Sequence, residues 1–365
     1  MSKKILIVSD FYEPHKSGIV TYINQLIKSF KEKGYIISVL TTKHTNELDR
    51  IDFINDIKII RCKPTIAISR GFYSLDLVIT FYKIYKNFDY INLHLPLTEI
   101  FPIAFFLNKN QTIINYHCLP VFSFPLNFIK FYFYLFGIIS VIKSKKNIVL
   151  SKDYFNSFLF HNKFNKNLVE VPPYVIMNKI NKKINNKSNI IKIGYLGRLS
   201  SEKGIQFLIL LSNYLSKENT NHKLIIAGDI KDLRFSKYIN KIRDLGKNNK
   251  NINFLGKLNH LEKIKFYNQI DLFILPSINS FEAFGIVQLE AMSYGVPVIA
   301  SNICGVRTVV KKTNNGFLFE SKNLKDLIKK FHLFKKNRIN SKKVIENLYK
   351  NYNKELFDTE IYKLF

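Results

Sequence analysis

One stretch in the second half of the chain, residues 276–301, constrains the fold more than any other. It reads PSINSFEAFGIVQLEAMSYGVPVIAS, a pattern that predicts an irregular loop, a helix over about 285–294 and a buried strand over 298–300. Gly295 and Pro297 are typical of the end of a helix and of the entry to the next element. The stretch therefore predicts a helix that starts in a loop and leads directly into a sheet.

Two glutamates in this stretch, Glu282 and Glu290, are separated by seven residues. Between them the loop becomes a helix, and a helix N-terminus offers unpaired N–H groups and partial positive charge to a phosphate. With a rise of about 1.5 Å per residue, Glu290 lies roughly 8–9 Å beyond the turn. That offset suits a ligand with phosphates in its middle and polar groups at both ends, as in a nucleotide sugar. The alternative is a buried helix with two incidental acids.

The whole chain alternates strands and helices, which favours two open α/β domains with parallel sheets. Strands of the first half are predicted at 4–9, 36–41, 57–62, 90–94, 112–117 and 147–150, with a helix over 18–33. Strands of the second half are predicted at 191–196, 223–227, 252–255, 272–275 and 297–301. We expect a first domain over 1–175, a second over 176–345, a polar linker near 179–188, and a final helical segment over 346–365 that crosses back to the first domain.

The chain has 365 residues and a formal net charge of +29. Such a charge raises nucleic acid or an anionic membrane as partners. The excess is mostly lysine spread along the chain, without a concentrated basic face or a recognisable module, so we expect no nucleic acid partner. Three cysteines far apart, Cys62, Cys118 and Cys304, are typical of reduced thiols in a cytoplasmic protein. We see no signal peptide and no run long enough to span a bilayer.

Residues 121–142, VFSFPLNFIKFYFYLFGIISVI, are rich in aromatic side chains and are followed by Lys143, Lys145 and Lys146. Lys130 leaves an apolar run too short to cross a bilayer. One interpretation is a buried helix of the first domain. The other is a surface that enters a membrane interface, with the lysines meeting anionic headgroups.

A second candidate anion site, GYLGRLSSEKG over 194–204, follows the first strand of the second domain. Gly197 lets the backbone approach a ligand closely. Arg198 offers a planar fork for phosphate oxygens, and Lys203 a mobile point charge. The stretch matches neither a Walker loop nor a GxGxxG dinucleotide fingerprint.

The carboxyl ends of the predicted strands in the first half carry further candidates, because ligands of such sheets bind there. The loop over 14–18 lies at that edge, and Gly18 opens the first helix. His94 and His117 both fall at strand ends on the same edge. A single histidine is more often structural than catalytic, but two at one edge favour contact of at least one with substrate.

With these motifs the chain resembles family 4 retaining glycosyltransferases of GT-B fold, in which two Rossmann-like parallel-sheet domains face a central cleft. The resemblance spans most of the chain and is strongest in the second half. Its pieces are Glu13-Pro14 with Ser17-Gly18, Gly197-Arg198-Leu199 with Glu202-Lys203-Gly204, Phe254-Leu255-Gly256, Pro276-Ser277, Glu282-Ala283-Phe284-Gly285, Glu290-Ala291-Met292 and Gly295-Val296-Pro297-Val298-Ile299-Ala300.

The resemblance implies roles in binding a nucleotide diphosphate sugar. Arg198 and Lys203, with Gly197 beside them, would hold the donor diphosphate. Glu290 would bind the ribose hydroxyls, and Glu282 would contact and orient the donor sugar. The other residues expected to contact the donor are Gly18, His117, Leu258, Phe284, Gly285 and Ile286, with Leu258 near the base and His117 near the sugar.

The reaction implied is transfer of the sugar to an acceptor hydroxyl with retention of configuration and without a metal or another cofactor. The acceptor would be a carbohydrate or a lipid-linked carbohydrate of cell-surface polysaccharide or glycolipid synthesis. We expect a cytoplasmic protein, with the inner face of the cell membrane as a possible docking surface. Alternatives are another GT-B enzyme, such as a sugar-nucleotide epimerase or a phosphorylase, and a non-catalytic basic protein that binds membranes or nucleic acid.

Two positions depart from the family pattern. Ser17 stands where the family commonly has a second glycine in the first loop. Tyr174 follows the proline at the domain junction, where the family often has Asn-Gly. The first change concerns the phosphate loop, and the second concerns the hinge and any acceptor contact there.

Overall fold

The structure is a computed structural model that describes residues 2–68, 71–118, 127–157, 167–176 and 190–365. It forms two compact units, one made of Met1–Tyr174 and Glu355–Phe365 and the other of Val175–Lys354. The polar linker predicted at 179–188 lies outside the described residues, as does the 121–126 part of the aromatic stretch.

The first unit is built on an eight-stranded sheet with the order β10-β9-β8-β7-β1-β2-β4-β3. Every neighbouring pair is parallel except β3 and β4. A short antiparallel pair, β5 and β6, lies apart from this sheet. The strands are β1 (Lys4–Ser9), β2 (Ile36–Thr42), β3 (Ile51–Ile54), β4 (Ile57–Cys62), β5 (Ile66–Ile68), β6 (Gly71–Tyr73), β7 (Tyr90–Leu95), β8 (Thr112–Tyr116), β9 (Lys146–Val149) and β10 (Leu168–Glu170).

The helices of this unit cover a sheet whose central strands are buried on both faces, as parallel strands between helices must be. Residues 5–9 of β1 are all buried. The helices are α1 (Gly18–Glu32), α2 (Leu75–Ile84), α3 (Ile100–Ala104), α4 (Asn127–Ile142) and α5 (Lys152–Phe155). The buried apolar residues of α1 lie on one face of the helix and include Tyr22, Leu26 and Phe30.

The second unit is built on a six-stranded, fully parallel sheet with the order β13-β12-β11-β14-β15-β16. Its strands are β11 (Ile191–Leu196), β12 (His222–Ala227), β13 (Ile252–Gly256), β14 (Leu272–Leu275), β15 (Val298–Ser301) and β16 (Gly316–Phe319). Its helices are α6 (Ile205–Lys217), α7 (Ser236–Gly246), α8 (His260–Gln269), α9 (Ile286–Ser293), α10 (Val306–Thr313), α11 (Leu324–Lys336) and α12 (Ser341–Tyr352). The predicted α/β class with parallel sheets is confirmed.

The C-terminal segment returns to the first unit, but it does so later than the predicted start at residue 346. Helix α12 stays with the second unit because Val344, Leu348 and Tyr352 bury their side chains there. Helix α13 (Lys354–Tyr362) follows, and Glu355–Phe365 belong to the first unit. Phe357 packs edge-on against Tyr22 of α1, with ring centroids 5.8 Å apart.

Several elements of the first unit had no counterpart in the predicted pattern. Strand β3 is short and exposes alternate residues, so it lacks the continuous apolar run by which the buried strands were predicted. The β5–β6 pair was missed for a similar reason, since strands of three residues carry little periodicity. Helix α2, which has ten residues, was also not predicted. None of the helices in the described ranges is long and apolar enough to cross a membrane.

Candidate functional site

The turn after β11 places Gly197 and Arg198 at the carboxyl edge of the second sheet. The backbone N–H of Gly197 donates to Ala227 O at 3.0 Å, which joins this turn to the end of β12. A Cβ atom on Gly228 would lie 2.2 Å from Gly197 O, so the two turns meet only because Gly228 has no side chain. The sequence motifs do not indicate this contact, because they cover the turn after β11 and not the turn after β12.

Arg198 is exposed, but its guanidinium has a fixed neighbour. It lies over the ring of Phe281, 5.3 Å from the centroid, in the loop that also holds Glu282. The Tyr195 hydroxyl donates to Arg198 O at 2.9 Å and steadies the backbone below it. A cation over an aromatic face is favourable, so Arg198 is held beside the predicted glutamate loop with its donors available to a ligand.

Lys203 and Glu282, predicted separately from two motifs, form an ion pair. The ammonium donates to the Glu282 carboxylate, and the two side chains are 14% and 15% exposed. The Ser277 hydroxyl also lies 3.4 Å from Glu282 Oε2. The backbone N–H of Ile278 donates to Glu202 O at 2.9 Å and ties the two loops together.

Gly204 makes this approach of the two loops possible. Its φ of +69° lies in the left-handed region, and an added Cβ would lie 2.0 Å from Pro276 O. A residue with a side chain would be strained by its backbone conformation and would also collide with the second loop. The two predicted motifs are therefore neighbours because of glycine at this position.

Helix α9 begins one residue after the predicted start. Gly285 is the N-cap, with φ +77°, and the helix covers Ile286–Ser293. Phe284 is 2% exposed and packs edge-on against Tyr352, so its side chain anchors the loop in the core. Because the first N–H groups of a helix have no intrahelical partner, the backbone at 284–286 presents donors at the end of this loop.

Glu290 lies half-buried on α9 and is held by two side chains of α8. The Tyr267 hydroxyl donates to Glu290 Oε2 at 2.9 Å, and the Lys263 ammonium lies 3.9 Å from the same oxygen. Tyr267 is itself stacked on Tyr294, with centroids 5.3 Å apart. Burial, together with the nearby Glu290 carboxylate, raises the pKa of Tyr267 well above its ordinary value, so the phenol remains a hydrogen-bond donor. Leu258 is half-buried in the loop between β13 and α8.

In the first unit, Gly18 is the first residue of α1, as predicted. Ser17 is the N-cap of that helix, and its hydroxyl accepts from Val20 N at 3.3 Å. Its φ of −152° is an extended conformation open to any residue. The serine at this position therefore caps the helix without the backbone needing glycine.

The two histidines predicted at the edge of the first sheet are bonded to each other. His94 Nδ1 and His117 Nε2 are 2.8 Å apart, and the rings are stacked at 15°. His94 Nε2 lies 2.8 Å from Asn92 Oδ1, which also accepts from Asn115 Nδ2 at 3.0 Å. All four side chains are at most 5% exposed. Burial lowers the pKa of both imidazoles, that of His117 to about 3, so both rings are neutral near pH 7.

A buried carboxyl pair, which sequence reasoning missed, lies at the same edge. The Thr98 hydroxyl lies within hydrogen-bond distance of three oxygen atoms. They are the backbone oxygen of Phe72, Asp10 Oδ1 at 3.3 Å and Glu99 Oε2 at 2.9 Å. A hydroxyl donates one proton only, so the pair of acids must itself supply a proton to complete this cluster. Burial accordingly raises the pKa of Asp10 well above its usual range and that of Glu99 to about 7.

The structure thus gathers the predicted residues in two places. Arg198, Lys203, Glu282 and Glu290 lie with the 284–286 loop at one edge of the second unit, and Gly18 and His117 lie in the first unit. Within the described ranges, no three His, Cys, Asp or Glu side chains converge as metal ligands would.

Comparison with known proteins agrees with this organisation. Residues 176–351 match the family model described as glycosyl transferases group 1. An uncharacterized glycosyltransferase of Methanocaldococcus jannaschii is 28% identical over 90% of this chain and 87% of its own. A capsular polysaccharide biosynthesis glycosyltransferase of Staphylococcus aureus is 30% identical over 38% of this chain, a match that spans only 35% of that relative's length.

Solved structures show the same fold. An Anabaena protein, HepE, in complex with UDP and glucose superposes with a TM-score of 0.74 at 16% identity, over 99% of this chain and 98% of its own. A likeness at that identity establishes the architecture, the GT-B fold. It does not by itself assign a substrate.

Proposed function

We propose that the chain, whose second unit carries the group 1 match, is a glycosyltransferase that moves a sugar from a nucleotide diphosphate donor to an acceptor hydroxyl with retention of configuration. The observation that carries the proposal is the meeting of Arg198, Lys203 and Glu282 beside the N-terminus of α9. Cations and helix N–H groups at one edge match a leaving group with two phosphates.

In the proposed reaction, the bond between the anomeric carbon and the diphosphate oxygen breaks and the acceptor oxygen bonds to the same carbon on the same face. The acceptor proton passes to the leaving phosphate. Arg198, Lys203 and the backbone N–H groups at 284–286 stabilise the negative charge that grows on the diphosphate. Glu282 is not a nucleophile in this scheme. Its carboxylate is paired with Lys203 and would contact and orient the donor sugar.

The family resemblance supports the remaining proposed contacts with the donor. Glu290 would accept hydrogen bonds from the ribose hydroxyls, with its carboxylate aimed by Tyr267. Leu258 would line the base, and Gly197 would let phosphate oxygens approach the backbone. Gly18 and His117 of the first unit would touch the phosphate and the sugar of the donor. The retained configuration and these roles are supported by the family resemblance.

The proposal needs neither a metal nor a further cofactor, because the cations of the site are side chains. We expect activity to persist in EDTA after dialysis. Loss of activity that Mg²⁺ or Mn²⁺ restores would overturn the metal-free form of the proposal.

A carbohydrate or lipid-linked acceptor at an anionic membrane is the setting we propose for the reaction. Residues 100–152 contain six lysines and no Asp or Glu. In the same part of the chain Phe101, Phe105 and Phe131 are 46%, 53% and 68% exposed. Lys143 Nζ donates to Phe105 O at 3.0 Å, which ties the end of α4 to α3. Exposed aromatic rings flanked by lysines suit the interface of an anionic bilayer on the cytoplasmic side.

Vesicle sedimentation tests this setting. The protein should sediment with vesicles rich in anionic lipid and not with zwitterionic ones. A double change of Phe105 and Phe131 to Ser should weaken the binding several-fold, whereas Phe53→Ser, a control at a ring 65% exposed on β3 of the same unit, should not. Equal binding of both variants would remove the surface from the proposal. Phe133, on the same helix as Phe131, is left unchanged in this test because it is 8% exposed and belongs to the core.

The transfer itself is tested by a thermal-shift panel of UDP, GDP and ADP with their sugars, followed by analysis of the reaction with and without acceptor. Binding of one nucleoside diphosphate raises the melting temperature by mass action. We expect nucleoside diphosphate and a new glycoside of unchanged anomeric configuration. An epimerised nucleotide sugar, or a sugar phosphate formed in the presence of phosphate, would instead identify an epimerase or a phosphorylase.

A further inference from the structure

We infer that Asn92 and His94 position His117 so that it presents a hydrogen-bond acceptor, and not a donor, to a hydroxyl of the bound sugar. The inference rests on the proposed place of His117 beside the donor sugar. It comes from the hydrogen bonds that join three buried side chains on β7 and at the end of β8.

The direction of each bond follows from the first. Asn92 turns its Oδ1, which also accepts from Asn115 Nδ2 at 3.0 Å, toward His94 Nε2, 2.8 Å away, and with the two amides in this orientation His94 Nε2 carries the proton. In a neutral imidazole the other nitrogen is then an acceptor, which makes His94 Nδ1 the acceptor of the next bond. His117 Nε2, 2.8 Å from it, must therefore donate. The lone pair of His117 is left on Nδ1.

The surroundings keep both rings neutral, as this order of donors and acceptors requires. A proton added to His94 would place two N–H groups against each other unless His117 changed tautomer. The groups packed on the pair are the neutral amides of Asn92 on β7 and Asn115 on β8, and the Tyr22 phenol on α1, whose ring lies edge-on 5.4 Å from His117. The Tyr22 hydroxyl is occupied in donating to Val171 O, and burial raises its pKa above the ordinary value.

The free nitrogen of His117 has chemical consequences. Among the described residues, no protein group makes a hydrogen bond to His117 Nδ1. A lone pair at this position accepts from a sugar O–H and is repelled by an anionic oxygen. His117 therefore favours a neutral hydroxyl over a carboxylate or phosphate at the position it contacts. Asn92 and His94 are positioning residues, since they act only through His117.

Nitrogen NMR of the full chain, labelled with ¹⁵N-histidine, tests the tautomers without any substrate. We expect His94 and His117 both to carry their proton on Nε2 at pH 7.5, with signals assigned from the spectra of His94→Gln and His117→Gln. A proton on Nδ1 of either ring would overturn the inference. This measurement does not depend on the proposed function, so the two can fail separately.

Activity of three variants tests the consequence. Asn92→Leu removes the acceptor that fixes His94, and we expect kcat/KM for the sugar donor to fall about tenfold, the loss of roughly one positioned hydrogen bond. Tyr22→Phe is the matched control, because it removes a buried hydroxyl from a ring packed on His117 but leaves both the Asn92–His94 and the His94–His117 bonds. It should stay within about twofold of the wild type. Equal losses in the two variants would mean that the network is merely structural.

Asn92→Asp keeps the acceptor and adds a charge. A carboxylate beside His94 favours its imidazolium, which must donate through Nδ1 and force His117 into the wrong tautomer. We expect activity close to the wild type at pH 8.5 and a loss on lowering the pH whose midpoint lies at least one pH unit above that of the wild type. An unshifted profile would contradict the relay. This variant and the NMR spectra keep the inference testable if Asn92→Leu proves too unstable, as judged by its melting temperature.

Discussion

The side chains at the carboxyl edges of the two sheets differ in charge. At the edge of the second sheet, Lys203 is paired with Glu282, and Arg198 is exposed over Phe281. At the edge of the first sheet, four ionisable side chains are buried and shifted toward their neutral forms, because burial lowers the pKa of His94 and His117 and raises the pKa of Asp10 and Glu99. The two edges occupy equivalent positions in two similar folds, so topology alone does not determine the charge of a site.

The difference fits the two kinds of group in a nucleotide sugar. A diphosphate is charged, and only cations and helix N–H groups compensate for its loss of water. Sugar hydroxyls are neutral and need donors and acceptors of fixed direction, which a buried network of neutral side chains supplies. The second edge is therefore suited to the leaving group and the first to hydroxyl recognition. The predictions below test this division.

The largest effect is expected from Lys203→Ala. Removal of the ammonium takes away a charged contact to the leaving diphosphate and leaves Glu282 as an unpaired carboxylate that repels it. We expect kcat/KM to fall more than tenfold, measured by release of nucleoside diphosphate. Arg198→Ala should cost more than tenfold as well.

Lys257→Ala, at an exposed lysine of the same unit, is the control and should change the rate less than twofold. Adding Glu282→Ala to Lys203→Ala separates the two causes, because the double variant removes the unpaired carboxylate. Near-normal rates in both single variants would show that the charged edge does not stabilise the leaving group.

The charged edge was largely predictable from sequence, and the neutral edge was not. Arg198, Lys203, Glu282 and Glu290 belong to short local motifs in which glycines and helix starts fix the backbone, so their type and place could be read from the chain. The long-range pairing of Lys203 with Glu282 depends on Gly204. The left-handed conformation of Gly204 is indicated by the local sequence, but its close contact with Pro276 is not.

At the neutral edge the partners come from separate strands. His94 and His117 were each predicted at strand ends, but their bond depends on the register of β7 and β8, in which His94 lies beside Asn115. Asp10 and Glu99 are 89 residues apart and look like ordinary surface acids in the sequence. The fold class was predictable because alternating strand and helix patterns repeat throughout the chain, whereas side-chain networks across a sheet leave no periodic trace.

A second, intermediate effect should appear in the pH dependence of stability of the first unit. The pKa of Glu99 is raised by burial to about 7, so its stabilising contribution is complete below its unfolded pKa of about 4.5 and is lost as pH rises through 7. Glu99→Gln keeps a neutral donor at this position. We expect it to raise the free energy of unfolding by about 1–3 kcal/mol at pH 8.5 relative to wild type, and to change it little at pH 4.5.

Urea unfolding monitored by tyrosine fluorescence at the two pH values measures this difference. Glu47→Gln, at an exposed carboxylate of the same unit, should have no effect at either pH. The histidines act in the opposite direction, since their lowered pKa values make the folded state lose stability as pH falls below about 6.5. If Glu99→Gln destabilised the protein equally at both pH values, Glu99 would be a charged partner and the edge would not be neutral.

The smallest effect concerns the nucleotide end of the charged edge. Tyr267→Phe removes the hydroxyl that donates to Glu290 Oε2 and keeps the ring that stacks on Tyr294. The carboxylate then loses one of its two fixed contacts and orients less well toward the ribose. We expect KM for the donor to rise three- to tenfold with kcat nearly unchanged, in line with a hydrogen bond worth about 1 kcal/mol. Tyr294→Phe is the matched control, because it removes a hydroxyl from the other ring of the same stack and leaves the Glu290 bond intact. A fall in kcat at constant KM in Tyr267→Phe would instead mean that Glu290 acts in the transition state. The nucleotide end of the charged edge, and not only the diphosphate end, would then contribute to catalysis.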